Sequence, residues 1–263
     1  MKSEPVEWLQ RNKHLRMDAN LDVFPEGRRR FHLARYQFAS HYCAGKKVLD
    51  GACGTGYGAA LIGQSAREVT GIDCSADAID YAVRTYGNAS IRFEKSFVEL
   101  TPFASGSFDV VVSLETVEHT LCPESHMMEV ARVLNPVDGV AILSVPNGWG
   151  LTDHHFIDFD MEMFERMTRK HFGFVDFFYQ NPESHPVLPG IGLLKSSASG
   201  DAQCLIAVCS KPRLEAVVVD QRQHIMDEIY RIAFSRHADY MTLAYRQNTS
   251  LLRRAITKIR SLA

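Results

Sequence analysis

Apolar runs of strand length alternate with stretches of helical spacing along most of this chain. Runs at 47–50, 68–73, 91–95, 108–113 and 140–145 predict five strands. Apolar positions at helical spacing predict helices over 31–43, 56–64, 76–86, 123–134 and 160–168. Ser75 stands where its hydroxyl can cap helix 76–86. The run at 108–113 is nearly unbroken, which suits a strand buried on both faces of a parallel sheet. Strand composition returns at 172–179 and 204–209, an expected antiparallel pair closing the sheet. Strands alternating with helices make an α/β domain with a Rossmann-like sheet and helices on both faces. The loop 181–200, with Pro182, Pro186, Pro189 and His185, is expected over the substrate side.

One stretch organises the rest: Val48-Leu49-Asp50-Gly51-Ala52-Cys53-Gly54-Thr55-Gly56-Tyr57-Gly58. A strand ends in a carboxylate, glycines follow, and a helix begins. Glycines let backbone N–H groups approach a ligand that side chains would otherwise block. Gly54-Thr55-Gly56-Tyr57-Gly58-Ala59 satisfies the loose dinucleotide pattern, so NAD has to be weighed. Asp50 argues against it, because an acid at the strand tip would repel a pyrophosphate and suit a cationic ligand. Asp73 ends the second strand, where an acid can accept both hydroxyls of a ribose.

Four motifs together resemble the class I S-adenosylmethionine-dependent methyltransferases. They are Leu49-Asp50-Gly51-Ala52-Cys53-Gly54-Thr55-Gly56, Gly71-Ile72-Asp73, the run from Ser107 to His119, and Leu143-Ser144-Val145-Pro146-Asn147. The resemblance covers about residues 30–210. It implies a seven-stranded sheet in the order 3-2-1-4-5-7-6 and S-adenosylmethionine as cofactor. The implied cofactor-binding residues are Asp50, Gly51, Gly54, Gly56, Asp73, Phe97, Val98, Leu114 and Arg35. Arg35 and Tyr36, on a helix that can lid the cofactor, would reach the methionine carboxylate, or else be a surface arginine and a packed tyrosine. Many members carry an acid at the place of Phe97; here either Phe97 stacks on adenine, the Val98 backbone reads it, or Phe97 is core.

Methyl transfer to oxygen needs an aligned nucleophile and a route for its proton. Glu115, Glu118 and His119, written E-x-x-E-H, would share one face if they lay on a helical turn. In one reading His119, with an imidazole's ordinary pKa of about 6.5, is a general base beside Glu118. In another the trio binds a divalent metal, Mg²⁺, Mn²⁺ or Zn²⁺, that would chelate a vicinal diol. This run resembles the metal motif of ubiquinone-biosynthesis O-methyltransferases and of small-RNA 2′-O-methyltransferases. The latter add a distant histidine; by its spacing to Phe159, His155 is the better match and His154 the competitor. A purely structural role for the trio is the third reading.

Composition adds limits. A formal net charge of −2 gives no global basic field for nucleic acid, which lowers the RNA reading. The six cysteines include no C-x-x-C pair, and a reducing cytoplasm is expected. No secretory signal or bilayer-spanning run is visible. Arg28-Arg29-Arg30 reads as a solvated face or, failing that, a phosphate contact. The expected organisation is an N-terminal helical lid segment (1–44), a cofactor-binding domain (45–211) and a C-terminal helical extension (212–263). The extension ends in a basic amphipathic helix that would pack on its own domain or join a homodimer, with an anionic membrane surface as the weaker alternative. The acceptor motifs resemble methyltransferases of bacterial surface-polysaccharide assembly, which implies a sugar or glycan hydroxyl. A quinone or phenolic acceptor, an RNA and a non-catalytic cofactor-binding module are the alternatives.

Overall fold

Two-residue alternation along the strands decides the architecture. The computed structural model describes residues 17–120, 122–152, 155–181, 193–195 and 202–213. Val48, Val110, Val112 and Ile142 pack in one apolar cluster, while Leu49, Val111, Ala141 and Leu143 pack in another. Successive side chains leave a strand on opposite faces, so the sheet is buried on both. Each fully buried Val or Leu contributes about 1.5–3 kcal/mol.

The strands are β1 (Lys47–Gly51), β2 (Glu68–Asp73), β3 (Ile91–Lys95), β4 (Val110–Leu114), β5 (Val140–Pro146), β6 (Phe172–Gln180), β7 (Leu193–Lys195) and β8 (Cys204–Pro212). Their order is β3-β2-β1-β4-β5-β8-β6-β7. β1 to β5 pair in parallel; β8 runs antiparallel to β5 and β6. Apart from the three-residue β7 on the outer edge of β6, this is the expected 3-2-1-4-5-7-6 order, with β8 as the seventh strand. β7 lies inside the segment expected to be a loop.

The helices are α1 (Glu26–Ser40), α2 (Tyr57–Ile62), α3 (Ala76–Tyr86), α4 (Pro123–Val133) and α5 (Met161–His171). The Ser75 hydroxyl accepts from the Ala78 N–H at 3.3 Å, the expected cap of α3. Asp160 caps α5 in the same way, accepting from Met163 N–H at 2.7 Å. α1 begins five residues before the predicted start, directly after Pro25. Its Tyr36, Phe38 and Ala39 are buried in the same cluster as Val48 and Ile62, so this segment shares the core of the sheet. β4 starts at Val110 rather than Phe108, because Phe108 makes only an isolated bridge to Leu134. Residues 214–263, which hold nearly all of the expected C-terminal extension, lie outside the described residues.

Candidate active site

The C-terminal ends of β1, β2 and β4 open on one cavity of about 720 Å³. Open α/β sheets place their ligands at this edge. The glycine turn after β1 forms one wall. Gly54 sits at φ +56° with open space where a side chain would stand, and it lines the cavity. Gly56, at φ +85°, serves packing instead: a Cβ there would lie 2.8 Å from Ala82 and from the Phe93 ring. Thr55 donates its hydroxyl to the Met17 carbonyl at 2.7 Å, tying the turn to the segment before α1.

Asp73, at the tip of β2, lines the cavity and accepts from the Gly54 N–H at 3.0 Å and the Ser75 N–H at 2.8 Å. Phe97, Val98 and Leu114 line it as well, with Phe97 and Leu114 buried. The loop carrying Phe97 and Val98 is held from behind by α4. His126 Nδ1–H donates to the Val98 carbonyl at 3.2 Å, and the Glu129 carboxylate accepts from the Thr101 N–H at 2.7 Å.

Three expected contributors sit elsewhere. Asp50, Gly51 and Gly56 do not line the cavity. Asp50 is fully buried and accepts from the Tyr36 hydroxyl at 3.3 Å, so it joins β1 to α1. Its charge therefore does not face a ligand, and it cannot repel a pyrophosphate in the way the sequence suggested. Burial pushes its pKa up to about 8, against the hydrogen bond from Tyr36. The native carboxyl then holds a proton that the unfolded chain releases near pH 4, so this group makes stability fall as pH rises from about 4 to 8. Asp50→Asn is expected to remove that slope, a difference on the order of a few kcal/mol between pH 5 and 8 in urea melts. A variant with the wild-type pH dependence would overturn the assignment.

E-x-x-E-H is not a helical turn. Glu115 has φ +51°, and its N–H donates to the Ser144 carbonyl at 3.1 Å, so it still belongs to the sheet edge. Only Val117–His119 turns, as a single 3₁₀ turn. The Glu115 carboxylate accepts from the Ser144 hydroxyl at 3.1 Å and the Cys204 thiol at 3.2 Å. Glu118, His119 and His155 do converge: they offer one ligand atom each, all within 4.8 Å of one another. Of the four residues expected to hold a metal, Glu118, His119 and His155 are brought together and Glu115 is not among them. The competitor, His154, lies outside the described residues.

Glu118 is fully buried, and neither of its oxygens has a hydrogen-bond partner of ordinary geometry among the described residues. His119 Nε2 approaches one of them at 3.6 Å. Burial, with Glu115 adding to it, holds the Glu118 carboxyl well above the usual carboxylate range. An imidazolium or a metal ion beside it would favour loss of the carboxyl proton.

Arg35 is 2 % exposed and lines the cavity; it is not a surface residue. It donates to Gln180 Oε1 and to His32 Nδ1, both at 3.0 Å. Burial alone would lower its pKa, but Glu115 and weaker neighbours raise it overall, so the guanidinium stays charged.

His32 and Gln180 were not expected in the site, and Glu99 was expected only as part of the adenine-lining stretch 97–99. Glu99 lines the cavity, and burial pushes its carboxyl up to about 7. It stands two residues after Phe97, in a segment already expected beside the adenine, so that position was its signal. His32 and Gln180 carry no motif.

Residues 49–143 match the family model described as a methyltransferase domain. The chain has the class I methyltransferase fold, and over these residues it is similar to a methyltransferase domain. A probable S-adenosylmethionine-dependent methyltransferase of Mycolicibacterium smegmatis is 39% identical over 118 residues, 45% of this chain and 45% of that protein. A ubiquinone biosynthesis O-methyltransferase of Haemophilus ducreyi is 34% identical over 110 residues, 39% of this chain and 46% of that one. The chain spans less than half the length of these curated relatives. Among solved structures, a putative methyltransferase of Haloferax volcanii, in complex with the Trm112 methyltransferase activator, superposes with a TM-score of 0.57. It shares 17% identity over 81% of this chain and 100% of that one. Among its described residues the chain has no helix long and apolar enough to cross a membrane.

Proposed function

We propose that the protein transfers a methyl group from S-adenosylmethionine to a hydroxyl of a sugar or glycan. The observation that carries this reading is the meeting of Glu118, His119 and His155 on the cavity that Gly54 and Asp73 also line. Asp73 suits the ribose hydroxyls, and Phe97 and Val98 the adenine. Arg35 suits the methionine carboxylate. The cofactor supplies the electrophilic methyl group. His119 takes the acceptor proton, and the buried Glu118 beside it stabilises the imidazolium that results. Trp149, about half exposed, lines the same cavity and its ring centroid lies 6.3 Å from that of His155. A half-exposed indole offers a flat apolar face on which a sugar ring can stack.

A second reading has its own support. One carboxylate and two imidazoles form the donor set of a divalent ion, and the two nitrogen donors suit Zn²⁺ or Mn²⁺ better than Mg²⁺. An ion held there would act as a Lewis acid on a vicinal diol. The 34% identity to a ubiquinone biosynthesis O-methyltransferase keeps a phenolic acceptor as the alternative to a sugar.

Calorimetric titration with S-adenosylmethionine, before and after EDTA and with Mn²⁺ or Zn²⁺ restored, tests the cofactor and the metal together. Micromolar binding that disappears in Asp73→Ala is expected. Activity lost to EDTA and restored by one ion would favour the chelated diol, whereas unchanged activity would leave His119 as a metal-free base. Absence of cofactor binding would sink the methyl-transfer reading. Turnover of catechols and phenols but not of sugars would reassign the acceptor.

A further inference from the structure

The Arg28-Arg29-Arg30 run divides in the fold. Arg29 pairs with Asp22 and donates to the Ala19 carbonyl, while Arg30 faces Glu26 at 3.6 Å. Arg28 has no acidic partner among the described residues; its guanidinium lies over the Phe24 ring at 5.9 Å. It is exposed and lines the cavity, which puts it at the rim. One helical turn further along α1, His32 lines the same cavity. Arg35 donates to His32 Nδ1, so the neutral ring carries its proton on Nε2 and offers a donor there. Residues four apart lie on one face of a helix, so Arg28 and His32 present a cation and a donor side by side. Gly27 also lines the cavity, and Pro25 gives α1 no side-chain cap, so the positive end of the helix adds to the same field.

We propose that Arg28 and His32 form an anion subsite for the acceptor, whose class is then a phosphorylated or carboxylated sugar. The inference rests on the methyl-transfer reading, because the cofactor's own anion must be accounted for first. S-adenosylmethionine carries one anionic group, its carboxylate. Arg28 and Arg35 are seven residues apart on α1, about 10 Å along its axis, with Arg35 buried and Arg28 exposed at the rim, so the cofactor's carboxylate is assigned to Arg35. With Arg35 at the buried end assigned to it, the rim cation is left for a second anion. The acids around the cavity, Asp73, Glu99, Glu115 and Glu118, form no ion pair with Arg28 among the described residues. Trp149 on the same rim would hold the sugar ring while Arg28 and His32 hold its charge.

The test saturates the protein with S-adenosylhomocysteine, which fills the methionine carboxylate position. Glucose 1-phosphate, glucuronate and glucose are then titrated by calorimetry. A charged sugar should bind at least ~10-fold tighter than glucose, as expected for a charge-assisted contact. Arg28→Gln should remove most of that preference while S-adenosylhomocysteine affinity stays within ~2-fold, and His32→Gln, measured on protein still saturated with S-adenosylhomocysteine, should remove most of it as well. Preference for phosphate over carboxylate, or the reverse, names the anion. Equal binding of all three sugars, or no binding of either charged one at millimolar concentration, would overturn the proposal. So would loss of S-adenosylhomocysteine affinity in Arg28→Gln, which would give the residue to the cofactor's carboxylate. A wild-type protein that binds no S-adenosylhomocysteine would fail the methyl-transfer reading instead. Thermal melts of both variants confirm folding, which the exposure of Arg28 favours.

Discussion

Replacing His119 by alanine is expected to lower kcat by about 10²–10⁴-fold, the usual contribution of a positioned general base. Cofactor affinity should stay within a factor of about three, because the groups proposed to hold S-adenosylmethionine are on other elements. The assay is S-adenosylhomocysteine release in the presence of an acceptor panel. Added imidazole should return part of the rate, since it supplies the missing base to the space the side chain leaves. Glu118→Gln keeps the shape and removes the charge, so it separates orientation from electrostatics. If His119→Ala turned over at the wild-type rate, both the base and the metal reading would be lost.

Replacing Arg35 by methionine is expected to destabilise the fold by about 3–5 kcal/mol, as for a buried charge network that loses one partner. Methionine keeps much of the side-chain volume, so packing changes little and the charge is what is removed. Glu115 and Glu118 would then be left without the guanidinium that opposes them. Burial already raises the Glu118 carboxyl above the usual carboxylate range, which offsets part of the cost. The loss should therefore shrink at pH 5, where carboxyls protonate more readily, and grow at pH 8. Urea midpoints at the two pH values measure this. Adding Glu115→Gln to Arg35→Met should recover part of the stability. A single variant as stable as wild type at pH 8 would show that charge does not hold this network.

Strands were legible because their apolar runs are buried on both faces, and that demand leaves little choice of residue. β2, β3 and α3 begin and end where the periodicity put them. The site was legible where a motif carries local geometry, as at Gly54 and Asp73. It was misread where spacing was taken for helix. Glu115 to His119 have i, i+3 and i+4 spacing, yet Glu115 is kept in the sheet edge by its bond to Ser144, and the turn begins only at Val117. Sequence spacing cannot register a partner 29 residues away. Asp50 was misread for a related reason: a carboxylate at a strand tip can turn to the ligand or to the core. Here the Tyr36 hydroxyl draws it inward. His155 entered the site through tertiary contact with His119, with ring centroids 4.9 Å apart, and the sequence offered only a choice between neighbours.

The late insertion of β8 between β5 and β6 has a consequence for biosynthesis. Groups proposed to bind the nucleoside, from Gly54 to Glu99, all leave the ribosome early. The chemical end needs Cys204 against Glu115, Asn147 on the Ala202 carbonyl, and β8 along the whole of β5. At about 5–20 residues per second, roughly 3–12 s of synthesis separate Pro146 from Cys204. During that time β5 is an unpaired edge of high β-propensity, open to a neighbouring nascent chain. The period of greatest aggregation risk for β5 is therefore the wait for β8, and a chaperone that shields 140–146 would act then.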